Sequence, residues 1–172
     1  LALEITRDHR NSEYLAGFDL PEALVATGSL EDAVSGADVL VMGVPSHGMR
    51  STLQDLAAHL RPWVPVVSLA KGLEVGPHLR MTQVISEELP GHPVAVLTGP
   101  NLAKEILAGQ PAASVVAIDN ADIAAELQRI FSRPTLRVYT NTDVVGCEVG
   151  GVVKNVIAIA SGMAEGMGFG DN

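Results

Sequence analysis

Four apolar runs and a weaker fifth divide the chain and predict the strands of a buried sheet. The runs are apolar at nearly every position rather than at every second one, which is typical of strands covered on both faces in a parallel sheet. Each of the first three ends at a proline or at a residue next to a glycine. The predicted strands are residues 38–44, 65–70, 93–98, 113–118 and, more weakly, 136–139.

Helical spacing of apolar residues between these runs predicts the helices. Ser29 and Asp32 form a capping box that opens a short helix ending near Gly36. Further helices are predicted over residues 48–60, 79–89, 102–108 and 121–131. Residues 1–20 are polar and are expected to form a loop. The alternation of strand and helix indicates an α/β doubly wound parallel sheet of the Rossmann type.

The character of the sequence changes after Asn141. Residues 143–165 form one long helical stretch that is apolar almost all round, which is typical of a helix buried at the centre of a domain. We therefore predict a nucleotide-binding Rossmann-type domain over residues 1–141. Residues 142–172 would be the first long helix of an all-α C-terminal domain. Because this helix has no companions in the sequence, and no strand opens the chain, we expect an incomplete doubly wound fold.

Composition and charge narrow the classes of function. The 172 residues carry 20 acidic and 11 basic side chains, for a net charge of −9, which argues against a nucleic-acid partner. One cysteine and no Cys/His cluster predict no metal site. Glu148 and Lys154 argue against a membrane span in the long helix, since a charge at the bilayer centre costs about 2.5–3.5 kcal/mol. No signal peptide is evident, so we expect a cytoplasmic protein.

Three predicted strand ends carry residues that suit a binding site. Pro45 follows the first strand, Lys71 the second, and the segment from Gly99 to Lys104 follows the third. Ligands of open α/β sheets bind outside the carboxyl ends of the strands. Taken singly, each feature is explained by turn formation. Three together favour a ligand site.

Lys154 is the sharpest single feature of the sequence. It lies mid-helix, and Gly150 and Gly151 lie one turn before it, although glycine in a helix costs about 1 kcal/mol relative to alanine. This predicts a bulky group against that face and a buried lysine whose lowered pKa suits acid–base chemistry. The alternative is a helix-packing groove from which Lys154 extends to the surface. Asn155 could orient a water or a substrate hydroxyl. It shares a helical face with Glu148, and the alternative expectation is that these two side chains hydrogen-bond to each other.

Four segments together resemble one enzyme family. Residues 148–172, 97–106, 68–72 and 11–21 are similar to the signature helix, the Gly-Pro loop, the Lys-Gly strand end and the Tyr-Leu-Pro loop of bacterial NAD(P)-dependent glycerol-3-phosphate dehydrogenase. Each segment is moderately specific alone. The four occur in the family's order and cover essentially the whole chain, which makes the resemblance highly specific.

The resemblance implies an activity and roles for individual residues. It implies interconversion of dihydroxyacetone phosphate and sn-glycerol 3-phosphate with NAD or NADP, a step that feeds glycerophospholipid synthesis. Lys154 would be the general acid/base that gives a proton to the carbonyl oxygen, with Asn155 beside it. Lys71 would contact both substrate and cofactor. The other implied contacts are Gly99 and Asn101 with substrate, and Pro45 and Ala103 with cofactor.

The sequence departs from the family pattern in two respects that affect function. The resemblance implies a later helical domain with a carboxylate partner for the catalytic lysine and an Arg-Asn pair that binds phosphate, and this region is not within the 172 residues. The resemblance implies a G-x-G-x-x-G loop that holds the pyrophosphate, and this motif is absent from the 172 residues. We therefore expect the middle portion of a longer enzyme, and we expect this portion alone neither to bind NAD(P)H tightly nor to turn over. Alternatives are a dehydrogenase of 3-hydroxyacids, 6-phosphogluconate or ketopantoate, and a non-catalytic interaction module. A chain this apolar could also form a homodimer.

Overall fold

A five-stranded sheet forms the centre of the computed structural model, which describes residues 1–170. Its strands are neighbours in chain order. All five predicted strands are confirmed, although the first two are shorter than expected. Their bounds are β1 Leu40–Met42, β2 Val66–Ser68, β3 Val94–Thr98, β4 Ala112–Ala117 and β5 Leu136–Asn141.

The sheet is mixed rather than wholly parallel. β1, β2 and β3 run parallel to one another, as do β4 and β5, but β3 and β4 are antiparallel, with Val96 opposite Ala117. The expectation of an all-parallel sheet is therefore wrong at this one pair. Continuous apolar runs report that both faces of a strand are covered, and this is independent of the direction in which the strand runs.

Seven helices surround the sheet in the described residues, together with a short 3₁₀ turn over Ser46–Gly48. Ser29 is confirmed as a helix cap, since its hydroxyl accepts the Asp32 N–H at 3.2 Å. The capping box is incomplete, because the Ser29 N–H donates to the Thr27 hydroxyl rather than to Asp32. Residues 1–20 are not all loop, because α1 forms there. No residue of α1 is buried, so the segment lacks the apolar periodicity that reveals a helix. The bounds are α1 Ala2–Asp8, α2 Leu30–Val34, α3 Met49–Leu56, α4 Met81–Glu88, α5 Ala103–Leu107, α6 Ala121–Phe131 and α7 Val144–Gly166.

The core lies on both faces of the sheet. Val66 of β2 packs in a cluster with the buried faces of α3 and α4, while the next residue, Val67, packs in a second cluster with Leu127 of α6. Both valines are fully buried. Successive strand residues point to opposite faces, so burial of both is what makes these runs continuously apolar.

Helix α7 is largely exposed, contrary to the prediction of a buried helix. Glu148 is its one buried residue, and large apolar side chains such as Ile157 and Met163 are more than 60% exposed. Within residues 1–170 only its N-terminal half packs on the sheet, against β3 and β4. The reason is that no other described element lies on its far side. The division between residues 141 and 142 stays a prediction.

Helix α7 also has the length and hydropathy that would let it cross a membrane. This is weak evidence, because a core helix of a soluble protein meets the same two criteria. The predicted absence of a membrane span therefore stays a prediction.

Candidate active site

A cleft of about 270 Å³ lies where the carboxyl ends of β2 and β3 meet the N-terminal half of α7. This is the edge of the sheet at which a ligand site was predicted. The cleft lining contains two ammonium groups and, among the described residues, no carboxylate. It consists of Lys71, Thr98, Gly99, Pro100, Val115, Gly146, Cys147, Gly150, Gly151 and Lys154.

Lys71 connects two strand ends. It follows β2, and its Nζ donates a hydrogen bond to the Gly99 carbonyl oxygen, 2.9 Å away, just beyond β3. Only glycine fits at position 99, because a Cβ there would lie 2.7 Å from the Ala113 carbonyl oxygen of β4. The close approach of β4 thus determines the path of the loop whose Gly99 carbonyl oxygen accepts the Lys71 hydrogen bond.

Asn101 is held beside Gly99 by the sheet. Its Nδ2 donates to the hydroxyl of Ser114, a residue of β4 that is only 4% exposed. The same Nδ2 would lie 2.7 Å from a Cβ placed on Gly99. The predicted substrate residues Gly99 and Asn101 therefore share one braced loop next to Lys71.

Lys154 lines the cleft but is exposed, so the predicted burial of this side chain is wrong in this structure. One side of Lys154 faces the cleft, and the other side of α7 is exposed to solvent. We expected a neighbouring group to pack against both glycines, but one packs only against Gly151. A Cβ on Gly151 would lie 3.3 Å from the Thr98 hydroxyl and 3.7 Å from Cγ of Lys71, whereas nothing lies within 4 Å of one on Gly150.

Four predicted site residues lie outside the lining of this cleft, namely Asn101, whose loop borders it, and three others. Asn155 is exposed on α7, Ala103 is the exposed first residue of α5, and Pro45 precedes the 3₁₀ turn after β1. The β1 end does approach the β2 end, because a Cβ on Gly72 would lie 2.8 Å from the Ser46 hydroxyl. The roles predicted for Asn155, Ala103 and Pro45 stay predictions.

The analysis of the sequence missed the partners of Glu148. Its carboxylate accepts hydrogen bonds from the Arg80 guanidinium and from the Thr82 backbone N–H and hydroxyl, so the expected pairing with Asn155 is wrong. The sequence does carry a signal for a buried partner, since an acidic residue in an apolar helix is costly to bury alone. It does not say which residue that partner is.

Cys147 is a further lining residue that the sequence did not single out. Burial raises the pKa of its thiol, and the nearby carboxylate of Asp143 raises it further. Asp143 also caps α7, because its side chain accepts the Gly146 N–H at 2.7 Å. At neutral pH the group at this point of the cleft is therefore a thiol, which is a poor nucleophile.

Two family models match the chain, and together they cover most of it. The model described as the NAD-dependent glycerol-3-phosphate dehydrogenase N-terminus matches residues 1–124, and the corresponding C-terminus model matches residues 143–172. The chain belongs to the NAD-dependent glycerol-3-phosphate dehydrogenase family. The other dehydrogenases and the interaction module considered as alternatives are not favoured, since both halves match this one family.

Named relatives agree with this membership. Glycerol-3-phosphate dehydrogenase (NAD(P)+) 2 of Sphingopyxis alaskensis is 58% identical over 98% of this chain and 50% of its own length. The Mycobacterium avium enzyme is 52% identical over 98% of this chain and 50% of its own length. The structure of the Coxiella burnetii glycerol-3-phosphate dehydrogenase superposes with a TM-score of 0.87 at 31% identity, over 98% of this chain and 52% of that one.

The chain thus spans about half the length of the curated relatives it matches. The glycerol-3-phosphate dehydrogenase signature segment runs through α7 to residue 172. Its last two residues, Asp171 and Asn172, lie outside the described part of the chain.

Proposed function

We propose that the protein interconverts dihydroxyacetone phosphate and sn-glycerol 3-phosphate by hydride transfer with NAD(P)H. The observation that carries the proposal is the convergence of Lys71, Gly99 and Lys154 on one cleft from three separate elements. The names of the relatives supply the substrate. The cleft supports it chemically, because two ammonium groups without a lining carboxylate suit a phosphorylated ketone.

Lys154 is the proposed proton donor. In the reducing direction it gives a proton from Nζ to the ketone oxygen, and in the oxidising direction it takes the proton back. An ammonium group at this position also stabilises the negative charge that develops on that oxygen. A bound substrate would cover the exposed lysine and strengthen this interaction by excluding water.

Lys71 and the Gly99 loop are the proposed binding elements. An ammonium group has three N–H donors, and Lys71 uses one of them on the Gly99 carbonyl oxygen. The remaining donors are available to an anionic substrate. Asn101 donates a hydrogen bond to Ser114 through Nδ2, so its side-chain carbonyl oxygen remains available to accept a hydrogen bond from a substrate hydroxyl. Asn155 would orient a water or a hydroxyl beside Lys154.

NAD or NADP supplies the hydride when it is bound. The residues proposed to hold it are Pro45, Lys71 and Ala103. Pro45 follows β1, Lys71 follows β2, and Ala103 is the first residue of α5. The cleft has room for a cofactor group beside Gly150. This residue lines the cleft without a side chain, and nothing lies within 4 Å of where its Cβ would be. Lys71 would then lie between the cofactor and the substrate loop.

The same proposal includes the setting in which the protein works. We infer a cytoplasmic enzyme with a small phosphorylated substrate and no nucleic-acid partner. We infer that α7 is a core helix of the enzyme and not a membrane span, because it carries Lys154 at the cleft. The homodimer expected from the apolar composition is part of the same proposal.

Replacement of Lys154 tests the proposal. In the full-length protein we expect Lys154→Ala to lower kcat for reduction of dihydroxyacetone phosphate by about 10²- to 10⁴-fold, the usual contribution of a general acid. Lys104→Ala is the matched control, because it removes an exposed lysine that does not line the cleft. Unchanged turnover in Lys154→Ala would overturn the role of Lys154 as proton donor. No reduction of dihydroxyacetone phosphate by the unmodified protein would overturn the proposed reaction, and a panel of other ketones would then identify the substrate.

A further inference from the structure

The position of α7 depends on few contacts. Its N-terminal half rests on β3 and β4, and the rest is exposed within the described residues. Glu148 is the only residue of α7 that is buried there, with 7% of its surface exposed. A buried carboxylate is costly unless it is fully paired, so its partners identify what it is for.

Both carboxylate oxygens of Glu148 are occupied. Oε1 accepts the Thr82 backbone N–H at 2.9 Å. Oε2 accepts the Arg80 guanidinium at 2.6 Å and the Thr82 hydroxyl at 2.5 Å. Arg80 also donates to the Thr82 hydroxyl at 3.0 Å, which closes the network. Three donors from one short segment therefore hold one carboxylate from α7.

That segment is a rigid anchor. Thr82 belongs to the first turn of α4, and the neighbouring side chains of Met81, Val84 and Ile85 are at most 1% exposed in the core. The network thus links α7 directly to the packed interior, across 66 positions of sequence for Thr82 and 68 for Arg80.

The anchor lies on the same row of α7 as the proposed proton donor. Glu148, Gly151 and Lys154 succeed one another at intervals of three residues, so each is a neighbour of the next on the helix surface. Gly151 packs closely against Thr98 and Lys71. One row of α7 therefore carries the link to α4, the contact with the strand ends and the lysine in the cleft.

We propose that Glu148, held by Arg80 and Thr82, is a positioning residue that sets the rotation and height of α7 and thereby places Lys154 in the cleft. The proposal rests on the function proposed for Lys154. It assigns to Glu148 an effect on catalysis that exceeds its effect on stability, since an error of about 1 Å in the position of a reacting group can cost 10²-fold in rate.

The test compares two substitutions at one buried position in the full-length protein. Thr82→Val removes the hydroxyl that donates to Glu148 and preserves size, whereas Thr82→Ser keeps the hydroxyl. We expect Thr82→Val and Glu148→Gln to lower kcat per active site by about 10- to 100-fold, with Thr82→Ser close to the unmodified enzyme. We also expect a larger primary isotope effect with cofactor deuterated at the transferred position, because the chemical step becomes slower, and little change in KM for the cofactor.

Glu88→Gln is the control for a purely structural role. Glu88 pairs with Arg50 at the other end of α4 and is partly buried, and its ion pair does not involve α7. We expect it to lower Tm without changing kcat or the isotope effect. If Glu148→Gln and Thr82→Val behave in the same way as this control, the positioning proposal is overturned. If Glu148→Gln does not fold, the two Thr82 variants decide by the same measurements.

Lys154→Ala separates this proposal from the one on which it rests. Full activity in Lys154→Ala would remove the role of Lys154 and with it the positioning proposal, whereas no reduction of dihydroxyacetone phosphate by the unmodified protein would show that the proposed function is wrong. A large loss in Lys154→Ala with normal kinetics in Thr82→Val would leave the proposed function intact and remove only the role of Glu148.

Discussion

Lys154 shows how one side chain can line the candidate cleft and still be exposed to solvent. The two glycines before it remove side chains that would block access, and they also remove side chains that would cover it. Its ammonium group is therefore reached easily by a ligand. A ligand that fills the cleft would exclude water from around this group.

Cys147 provides a test of electrostatics at the cleft wall. Since burial and then the charge of Asp143 raise the pKa of the thiol above its ordinary value of 9.0, a smaller fraction is thiolate at any given pH. We expect alkylation of Cys147 by iodoacetamide, followed against pH, to reach half its maximal rate above that value.

Asp143→Asn supplies the matched comparison, because asparagine can still cap α7 while the charge is lost. We expect the midpoint for Cys147 to move down in this variant. A midpoint at or below the ordinary thiol value in the unmodified protein would contradict the prediction.

At the scale of a single helix, Gly150 and Gly151 test how closely α7 packs. Glycine to alanine in a helix gains about 1 kcal/mol of intrinsic propensity. Gly150→Ala should realise this gain, since nothing lies within 4 Å of the new Cβ. Gly151→Ala should not, because its Cβ would lie 3.3 Å from the Thr98 hydroxyl and the helix or the strand end would have to shift.

Urea unfolding of the two variants checks this prediction, and each is the control for the other. The expected result is a higher free energy of unfolding for Gly150→Ala than for Gly151→Ala. Equal stabilisation would mean that α7 does not pack against the ends of β2 and β3.

Other elements show where local sequence is a good guide. The bounds of α6 agree with its prediction, since Asn120 caps two N–H groups and Leu127 lies on a periodic apolar face. Helix α1 was missed because none of its residues is buried. Periodicity reports a helix only where one face packs against something.

Across the whole molecule, charge is distributed unevenly. The chain carries a net charge of −9, yet the cleft lining holds two lysines and, among the described residues, no carboxylate. A second group of charges lies elsewhere, where Arg50 of α3 pairs with Glu74, Glu87 and Glu88 and joins two helices to the segment after β2. The cleft lining therefore carries charge of the opposite sign to the chain as a whole, whereas the Arg50 cluster has the same sign as the chain.

The Arg50 cluster predicts a dependence of stability on acid. Hydrogen bonding from Arg50 holds the pKa of Glu74 below its ordinary value of 4.5. A carboxyl with a lowered pKa in the folded state stabilises the fold above its unfolded pKa, and this stabilisation is lost as the pH falls through the folded value. We expect the Tm advantage of the unmodified protein over Glu74→Gln to be full near neutral pH and to shrink below 4.5.

Thermal unfolding of both proteins across that range is the measurement. Glu22→Gln, which alters an exposed carboxylate outside the cluster, is the control for general loss of acidic charge. A Tm difference between the unmodified protein and Glu74→Gln that stays constant through the acid range would contradict the assignment.

The sequence by itself determined the five strands and every described helix except α1, and it predicted a ligand site formed by the lysine-bearing strand ends and α7. Helix caps, the apolar runs of strands and the apolar faces of helices each involve residues that are close along the chain, so the sequence pattern reveals them directly. Only the tertiary structure decided that β4 runs antiparallel to β3, that Lys154 stays exposed and that Glu148 pairs with Arg80 and Thr82. These outcomes depend on contacts between residues far apart in sequence, because direction, exposure and pairing are properties of how the elements pack against one another.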